Sequence, residues 1–239
     1  MPDIDLGAVP GGSATLRGYL ATPAGAGPWP GVVAIHESFG LNDVVRRQAD
    51  RLAAAGYLSL APDLFSDGGM ARCVVGAFRS LFSGEGKAIT DIDTARDYVK
   101  GHADCTGKVG IIGFCMGGGF ALVTATRGFD ASAPNYGVLP KDAEKALSGA
   151  CPIVASYGKK DVSLRGAAGK LERTLTKLEV AHDVKEYPSA GHSFLNDRYF
   201  GPQPTHAIQR ITHVGPDPVA APDAWQRIEA FFGAHLSNG

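Results

Sequence analysis

Cys115 is the residue whose surroundings in this sequence most favour nucleophilic chemistry. It lies in Gly113-Phe114-Cys115-Met116-Gly117, between a β-branched apolar run (KVGIIGF) and a segment of helical periodicity (MGGGFALVTATR). A glycine two residues to either side of a nucleophile at a strand-to-helix turn is typical of a nucleophile elbow. The unpaired amides of a helix N-terminus favour an anion, so a thiolate would be stabilised there. The Met116 amide would then donate to the oxygen of a substrate carbonyl.

Two other interpretations of this motif stay open when it is taken alone. It could be a tight turn around a buried structural cysteine, or a glycine-rich phosphate-binding loop. The second is disfavoured, because the motif lacks a G-K-S/T ending and the spacing G-x-G-x-x-G.

Asp161 and His192 are the predicted partners of the nucleophile. Asp161 follows the apolar run IVASYGKK, and His192 lies in AGHSF after VKEYPSA. The histidine would exchange protons with the thiol and the leaving group, and the aspartate would fix its tautomer and orientation. Taken alone, a loop aspartate is often a solvated surface residue and a loop histidine often has only a packing role. The prediction therefore depends on their joint placement, because nucleophile, acid and histidine occur in the order of an α/β-hydrolase.

The elements that must position these residues alternate between buried strands and helices. Such an alternation predicts an α/β fold with a mostly parallel sheet and helices on both faces, here an α/β-hydrolase fold formed as a single domain over residues 1–239. The strands are predicted within 30–40, 57–65, 108–114, 131–137, 151–158 and 182–188, and the helices within 44–56, 88–102, 116–127, 164–180 and 224–236. Residues 66–86 have no clear pattern, and residues 199–222 are predicted to form a loop that serves as a lid or an edge of the site.

Composition excludes several classes of function. The formal net charge is −1 and no basic run occurs, so we expect no nucleic-acid partner and no anionic membrane surface as a partner. The N-terminus lacks the basic and then apolar pattern of a secretion signal, and no apolar run could span a bilayer, so the expected location is cytoplasmic. The four cysteines have neither zinc-ligand spacing nor a disulfide pattern, which predicts no metal site.

Five segments in register resemble the dienelactone hydrolase (carboxymethylenebutenolidase) family over nearly the whole chain. They are HESFGLN at 36–42, with the helix RRQADRLAAAGY after it, APDLF at 61–65, GFCMGGG at 113–119, YGKKD at 157–161 and GHSF at 191–194. The resemblance implies an α/β-hydrolase without cofactor whose triad is Cys115, His192 and Asp161.

The resemblance also implies roles for two neighbouring residues, Glu37 and Ser38. In the family the glutamate lies beside the resting thiol and, displaced by substrate, helps to deprotonate it, and the Ser38 amide would be the second oxyanion donor. The residue types alone favour another interpretation of Glu37, a partly buried acid paired with an arginine.

The substrate expected from these features is a small ester or lactone, cleaved through a thioester on the cysteine. Members of the family that cleave dienelactone hold a substrate carboxylate with arginines, for which Arg198 and Arg79 are the candidates here, although Arg79 could be a solvated surface charge. Phe39 and Tyr136 are expected to contact substrate, and the protein is expected to be a monomer or small homo-oligomer. The alternatives are a thiol-based redox or electrophile sensor, and a binding protein on a hydrolase scaffold.

Overall fold

An eight-stranded β-sheet forms the centre of the computed structural model, which describes residues 3–237. In chain order the strands are β1 (Asp3–Gly7), β2 (Leu16–Ala21), β3 (Trp29–Ile35), β4 (Leu58–Pro62), β5 (Cys105–Phe114), β6 (Ala131–Asn135), β7 (Ile153–Gly158) and β8 (His182–Tyr187). Their order in the sheet is β1-β2-β4-β3-β5-β6-β7-β8. The strands from β4 to β8 in this order pair in parallel, and β1 and β2 add an antiparallel edge.

Helices cover both faces of this sheet. They are α1 (Asp43–Ala54), α2 (Gly69–Ser83), α3 (Lys87–Lys100), α4 (Met116–Val123), α5 (Ala143–Leu147), α6 (Ala167–Lys177), α7 (Gln203–Ile211) and α8 (Ala220–Leu236), with a 3-10 turn at Val162–Leu164. Alternate residues of β3 point to opposite faces, as the strand period requires. Val32 packs in one core layer with α1 and α8, while Val33 packs in the other with α2, α3 and α4.

The predicted fold class is confirmed, since the sheet is mostly parallel and has helices on both faces. Two local expectations are wrong. The segment 66–86 contains α2, which glycines and β-branched residues conceal in the sequence and which buries Ala77 and Leu81 against the core. The segment 199–222 is a loop only in part, because it includes α7 and the first turn of α8.

The parallel register brings the carboxyl ends of β3, β5, β6 and β7 to one edge of the sheet. The residues after these strands are the ones expected from the sequence to act. None of the helices in residues 3–237 is long and apolar enough to cross a membrane.

Candidate active site

Cys115 occupies a strained turn between β5 and α4. Its backbone is in the left-handed region, with φ of 56°, which a non-glycine residue rarely adopts. The flanking glycines are required by close backbone approach. A Cβ at Gly113 would lie 1.9 Å from the Gly117 carbonyl oxygen, and a Cβ at Gly117 would lie 2.2 Å from the carbonyl oxygen of Ile35, the last residue of β3. The turn therefore holds the thiol at the N-terminus of α4 and presses this helix against the end of β3.

His192 and Asp161 form a short hydrogen bond beside this turn. The distance from His192 Nδ1 to Asp161 Oδ2 is 2.5 Å, and the Asp161 side chain is 3% exposed. The other carboxylate oxygen, Oδ1, accepts from the Ser163 amide at 2.9 Å and from the Ser163 hydroxyl at 2.6 Å. Because Ser163 engages one oxygen, the other is directed at the histidine.

The electrostatics of this pair favour a protonated imidazole. Burial would lower the pKa of His192, but hydrogen bonds with Asp161 and with Cys115, together with their charges, outweigh burial and raise this pKa to about 10. Burial would raise the pKa of Asp161, and the hydrogen bonds from His192 and Ser163 lower it overall. An imidazolium next to a thiol stabilises the thiolate, which is the nucleophilic form of cysteine.

Glu37 lies at the end of β3, buried among residues of the loop that carries His192. Its Oε1 accepts from the Ser193 hydroxyl at 2.8 Å, and Asn196 Nδ2 lies 3.4 and 3.3 Å from the two carboxylate oxygens. Burial raises the pKa of Glu37, against hydrogen bonds from Ser193 and Asn196 and the charge of His192, which lower it. The interpretation of Glu37 as an acid paired with an arginine is wrong, because no ion pair to Glu37 exists within residues 3–237.

The two amides expected to form an oxyanion hole, those of Met116 and Ser38, lie on adjacent segments of the fold. Met116 begins α4, whose next residue, Gly117, approaches the carbonyl oxygens of Ile35 and His36. Ser38 follows two residues later in the β3–α1 loop. Within residues 3–237 neither amide donates a hydrogen bond to another residue. Both amides are therefore available to donate to an oxyanion.

Tyr136 lies beneath the histidine and has no exposed surface. Its ring centroid is 5.2 Å from that of His192, and its backbone is left-handed with φ of 40°. Burial, and next the charges of Glu37 and Cys115, raise the pKa of Tyr136 far above its usual range. Its hydroxyl makes no hydrogen bond of normal geometry within the described part of the chain, although the Leu195 amide faces it. Contact with substrate would require this side chain to become accessible.

The other residues expected to bind substrate lie further apart. Phe39 is 51% exposed and its ring packs on Phe200 with centroids 5.0 Å apart. Phe39, Phe200 and Arg198 line an open cleft of about 590 Å³, and the described lining of this cleft does not include Cys115, His192 or Asp161. Arg79 is exposed on α2 and does not line this cleft.

Sequence reasoning missed the roles of Ser163, Ser193 and Asn196. The first has a recognisable signal, since Asp-x-Ser after a strand is a common turn in which the aspartate accepts from the residue two positions on. The other two lie in GHSFLND but contact a residue about 156 positions away, which no local pattern encodes. Among residues 3–237 there is no cluster of three or more histidine, cysteine or acidic residues suited to a metal ion.

Comparison with known proteins gives a consistent family. The model of the dienelactone hydrolase family matches residues 16–236. A carboxymethylenebutenolidase of Rhodococcus opacus is 29% identical over 92% of this chain and 87% of that protein.

Two solved structures show the same fold. A dienelactone hydrolase of Anabaena variabilis superimposes with a TM-score of 0.70 at 22% identity, over 99% of this chain and 98% of that one. A dienelactone hydrolase-like promiscuous phosphotriesterase from metagenomic libraries superimposes with a TM-score of 0.79 at 23% identity, over the same shares of the two chains.

Proposed function

The chain belongs to the dienelactone hydrolase family and is a hydrolase of esters or lactones, and from this premise we propose that it acts through a thioester on Cys115. One observation carries the proposal. Cys115 lies on a strained turn at a helix N-terminus, where its charge acts on His192, and a buried aspartate holds this histidine at 2.5 Å. These are the three parts that nucleophilic acyl transfer requires.

In the first step the Cys115 thiolate attacks the carbonyl carbon of the ester or lactone. The π electrons of the carbonyl move onto oxygen, and the amides of Met116 and Ser38 stabilise the resulting oxyanion. When the carbonyl re-forms, the carbon–oxygen bond to the leaving group breaks, and His192 gives its proton to the leaving oxygen. The products of this step are a thioester and an alcohol, which stays tethered to the acyl group when the substrate is a lactone.

In the second step water hydrolyses the thioester. His192 takes a proton from the attacking water, the oxygen adds to the acyl carbon, and the thiolate leaves as the carboxylic acid is released. Asp161 keeps the Nδ1 proton of His192 in place, so that Nε2 exchanges protons with thiol, leaving group and water. We propose that Glu37 assists when Cys115 rests as a thiol: substrate displaces the glutamate from Ser193 and Asn196, its carboxylate takes the thiol proton to form the attacking thiolate, and it returns this proton to the sulfur after the acid is released.

The cleft beginning at Phe39 supports a proposal for the rest of the substrate. Its lining is mostly apolar, with Phe200 and Tyr199 beside Phe39, and Arg198 contributes a cation that is 63% exposed. An arginine can bind a carboxylate with two parallel hydrogen bonds. We propose that esters or lactones carrying a carboxylate are preferred, with Arg198 as the binding group and Arg79 as the weaker candidate.

Burst kinetics with a p-nitrophenyl ester test the thioester mechanism. The wild-type protein should release p-nitrophenol in a burst equal to the enzyme concentration, and tryptic mass spectrometry should find one acyl group on Cys115. Cys115→Ala should lose turnover and adduct together, and Cys151→Ala is the matched control. Full turnover by Cys115→Ala would refute the proposal. A Cys115 that is alkylated or oxidised but never releases an acid would support the thiol-sensor alternative.

A further inference from the structure

His36, the residue after β3, is fully buried and both of its ring nitrogens bond to backbone groups. The Leu64 amide lies 3.1 Å from Nε2, and Nδ1 lies 2.6 Å from the Glu37 carbonyl oxygen. An amide can only donate, so Nε2 must carry a lone pair and Nδ1 must carry the proton. The geometry therefore sets the tautomer of a neutral imidazole, and burial lowers the pKa of His36, which agrees with the neutral form.

The Glu37 carbonyl is held by a second donor. The Gly40 amide lies 3.2 Å from the same oxygen, which closes a four-residue turn over 37–40. In a planar trans peptide the carbonyl and the next N–H point in opposite directions. Fixing the Glu37 carbonyl towards His36 and Gly40 therefore turns the Ser38 N–H to the opposite side, away from these two donors.

The nucleophile turn packs against the same end of β3. Gly117 of α4 comes so close to β3 that a Cβ there would lie 2.2 Å from the Ile35 carbonyl oxygen and 2.8 Å from that of His36. His36 also ties the end of β3 to Leu64, which follows the neighbouring strand β4. The start of the loop that bears Ser38 is thus held by β4 and lies against α4.

We propose that His36 is a positioning residue for catalysis: its Nδ1–H orients the Glu37–Ser38 peptide so that the Ser38 amide donates to the oxyanion. This assignment rests on the proposed acyl-transfer function and adds to it the residue that pre-organises one of its two oxyanion donors. A donor held in place before the reaction costs no reorganisation when the oxyanion forms.

Two substitutions separate the two hydrogen bonds of His36. In His36→Asn the side-chain amide nitrogen takes the position of Nδ1 and keeps the donor to Glu37, but the Leu64 amide loses its acceptor. In His36→Gln the terminal group takes the position of Nε2 and keeps an acceptor for Leu64, but the donor to Glu37 is lost. We expect His36→Gln to lower kcat by roughly 10- to 100-fold with KM changed by less than about threefold, as for a group acting only in the transition state.

His36→Asn should keep kcat within about fivefold of wild type although it is the less stable variant, because a buried amide is left unpaired and the ring volume is lost. A purely structural role predicts the opposite order of kcat. In a Ser38→Pro background, where the amide is absent and proline suits the second position of the turn, His36→Gln should lower kcat by no more than about threefold further.

The failures are distinguishable. A wild-type protein that forms no acyl adduct on Cys115 overturns the proposed function and this assignment with it. An adduct that forms equally fast in wild type and His36→Gln, or an equal loss from His36→Gln with and without Ser38→Pro, overturns the assignment alone. Should His36→Gln not fold, 15N NMR of the wild-type ring decides, because a His36 protonated on Nε2 instead of Nδ1 would contradict the geometry from which the role follows.

Discussion

Asp161→Asn is the substitution whose effect the structure defines most closely. Asp161 Oδ1 accepts from the Ser163 amide, and an amide hydrogen cannot be turned into an acceptor. The asparagine oxygen must therefore stay at Ser163, which directs its NH₂ group at His192 Nδ1. Two donors cannot share that 2.5 Å contact, so the imidazole must move its proton to Nε2, the nitrogen that should receive a proton from the thiol or from water.

The expected loss is large because the tautomer is inverted while the packing is retained. In a serine protease the equivalent exchange lowers kcat by about 10⁴. A cysteine is partly ionised without help, so we expect a loss in kcat of roughly 10³ to 10⁴, or about 4 to 5.5 kcal/mol of transition-state stabilisation. His192 also loses a hydrogen bond and a charge that raise its pKa. Since a raised pKa keeps the proton on the ring to higher pH, the alkaline limb of kcat should move to lower pH in this variant.

Steady-state and burst kinetics from about pH 5 to about pH 10 measure both effects. Asp161→Ala is the matched control: it leaves Nδ1 without a competing donor, so water can restore the productive tautomer and more activity should survive than in Asp161→Asn. Ser163→Ala should be mild, because the Ser163 amide still engages Oδ1. An Asp161→Asn enzyme within about threefold of wild-type kcat, or less impaired than Asp161→Ala, would refute the argument.

Three other substitutions test separate parts of the site. Gly117→Ala places a Cβ 2.2 Å from the Ile35 carbonyl oxygen, so α4 must shift. We expect a loss of about 2 kcal/mol in the free energy of unfolding, measured by urea titration, and a loss of at least about tenfold in kcat, measured by ester hydrolysis. Unchanged values would contradict the close packing. Burial raises the pKa of Glu37 above 4.5, so the contribution of this residue to the free energy of unfolding falls as pH rises from about 4.5 through the raised pKa. Glu37→Gln should therefore become more stable relative to wild type above about pH 4.5, while its kcat falls about tenfold. A difference in stability that does not change with pH would contradict the raised pKa. Arg198→Ala should raise KM roughly tenfold for esters with a free carboxylate and not for neutral ones, whereas an equal effect from Arg79→Ala would assign both arginines to the binding site.

The nucleophile turn and the fold class could be predicted from sequence because local rules specify them. A glycine two residues to either side of Cys115 is demanded by steric contacts of backbone within a few residues, or with the adjacent strand β3. Buried β-branched runs between amphipathic helices specify a parallel sheet, and a parallel sheet gathers the carboxyl ends of its strands. The order of Asp161 and His192 along the chain then follows from the order of the strands.

The remaining features depend on contacts that local rules do not contain. α2 is stabilised by the burial of Ala77 and Leu81 and by its packing against α4, although the segment has weak intrinsic helix propensity. The partners of Glu37 come from a loop about 156 residues away, and a buried acid could equally have met an arginine. The exposed position of Arg198 and the separate position of Arg79 depend on how two loops and a helix are packed.

Backbone strain links these non-local contacts to the proposed catalytic site. Five non-glycine residues within 3–237 have a left-handed backbone, and three of them, Cys115, Tyr136 and Ser193, surround the site. Each such conformation costs of the order of 1–3 kcal/mol and persists only where packing determines it. Ser193, with φ of 59°, reaches Glu37, while the adjacent His192 reaches Asp161. A displacement of Glu37 by substrate would remove one of the contacts that hold Ser193 in its strained conformation. The movement proposed for the glutamate would therefore also affect His192, the residue before Ser193.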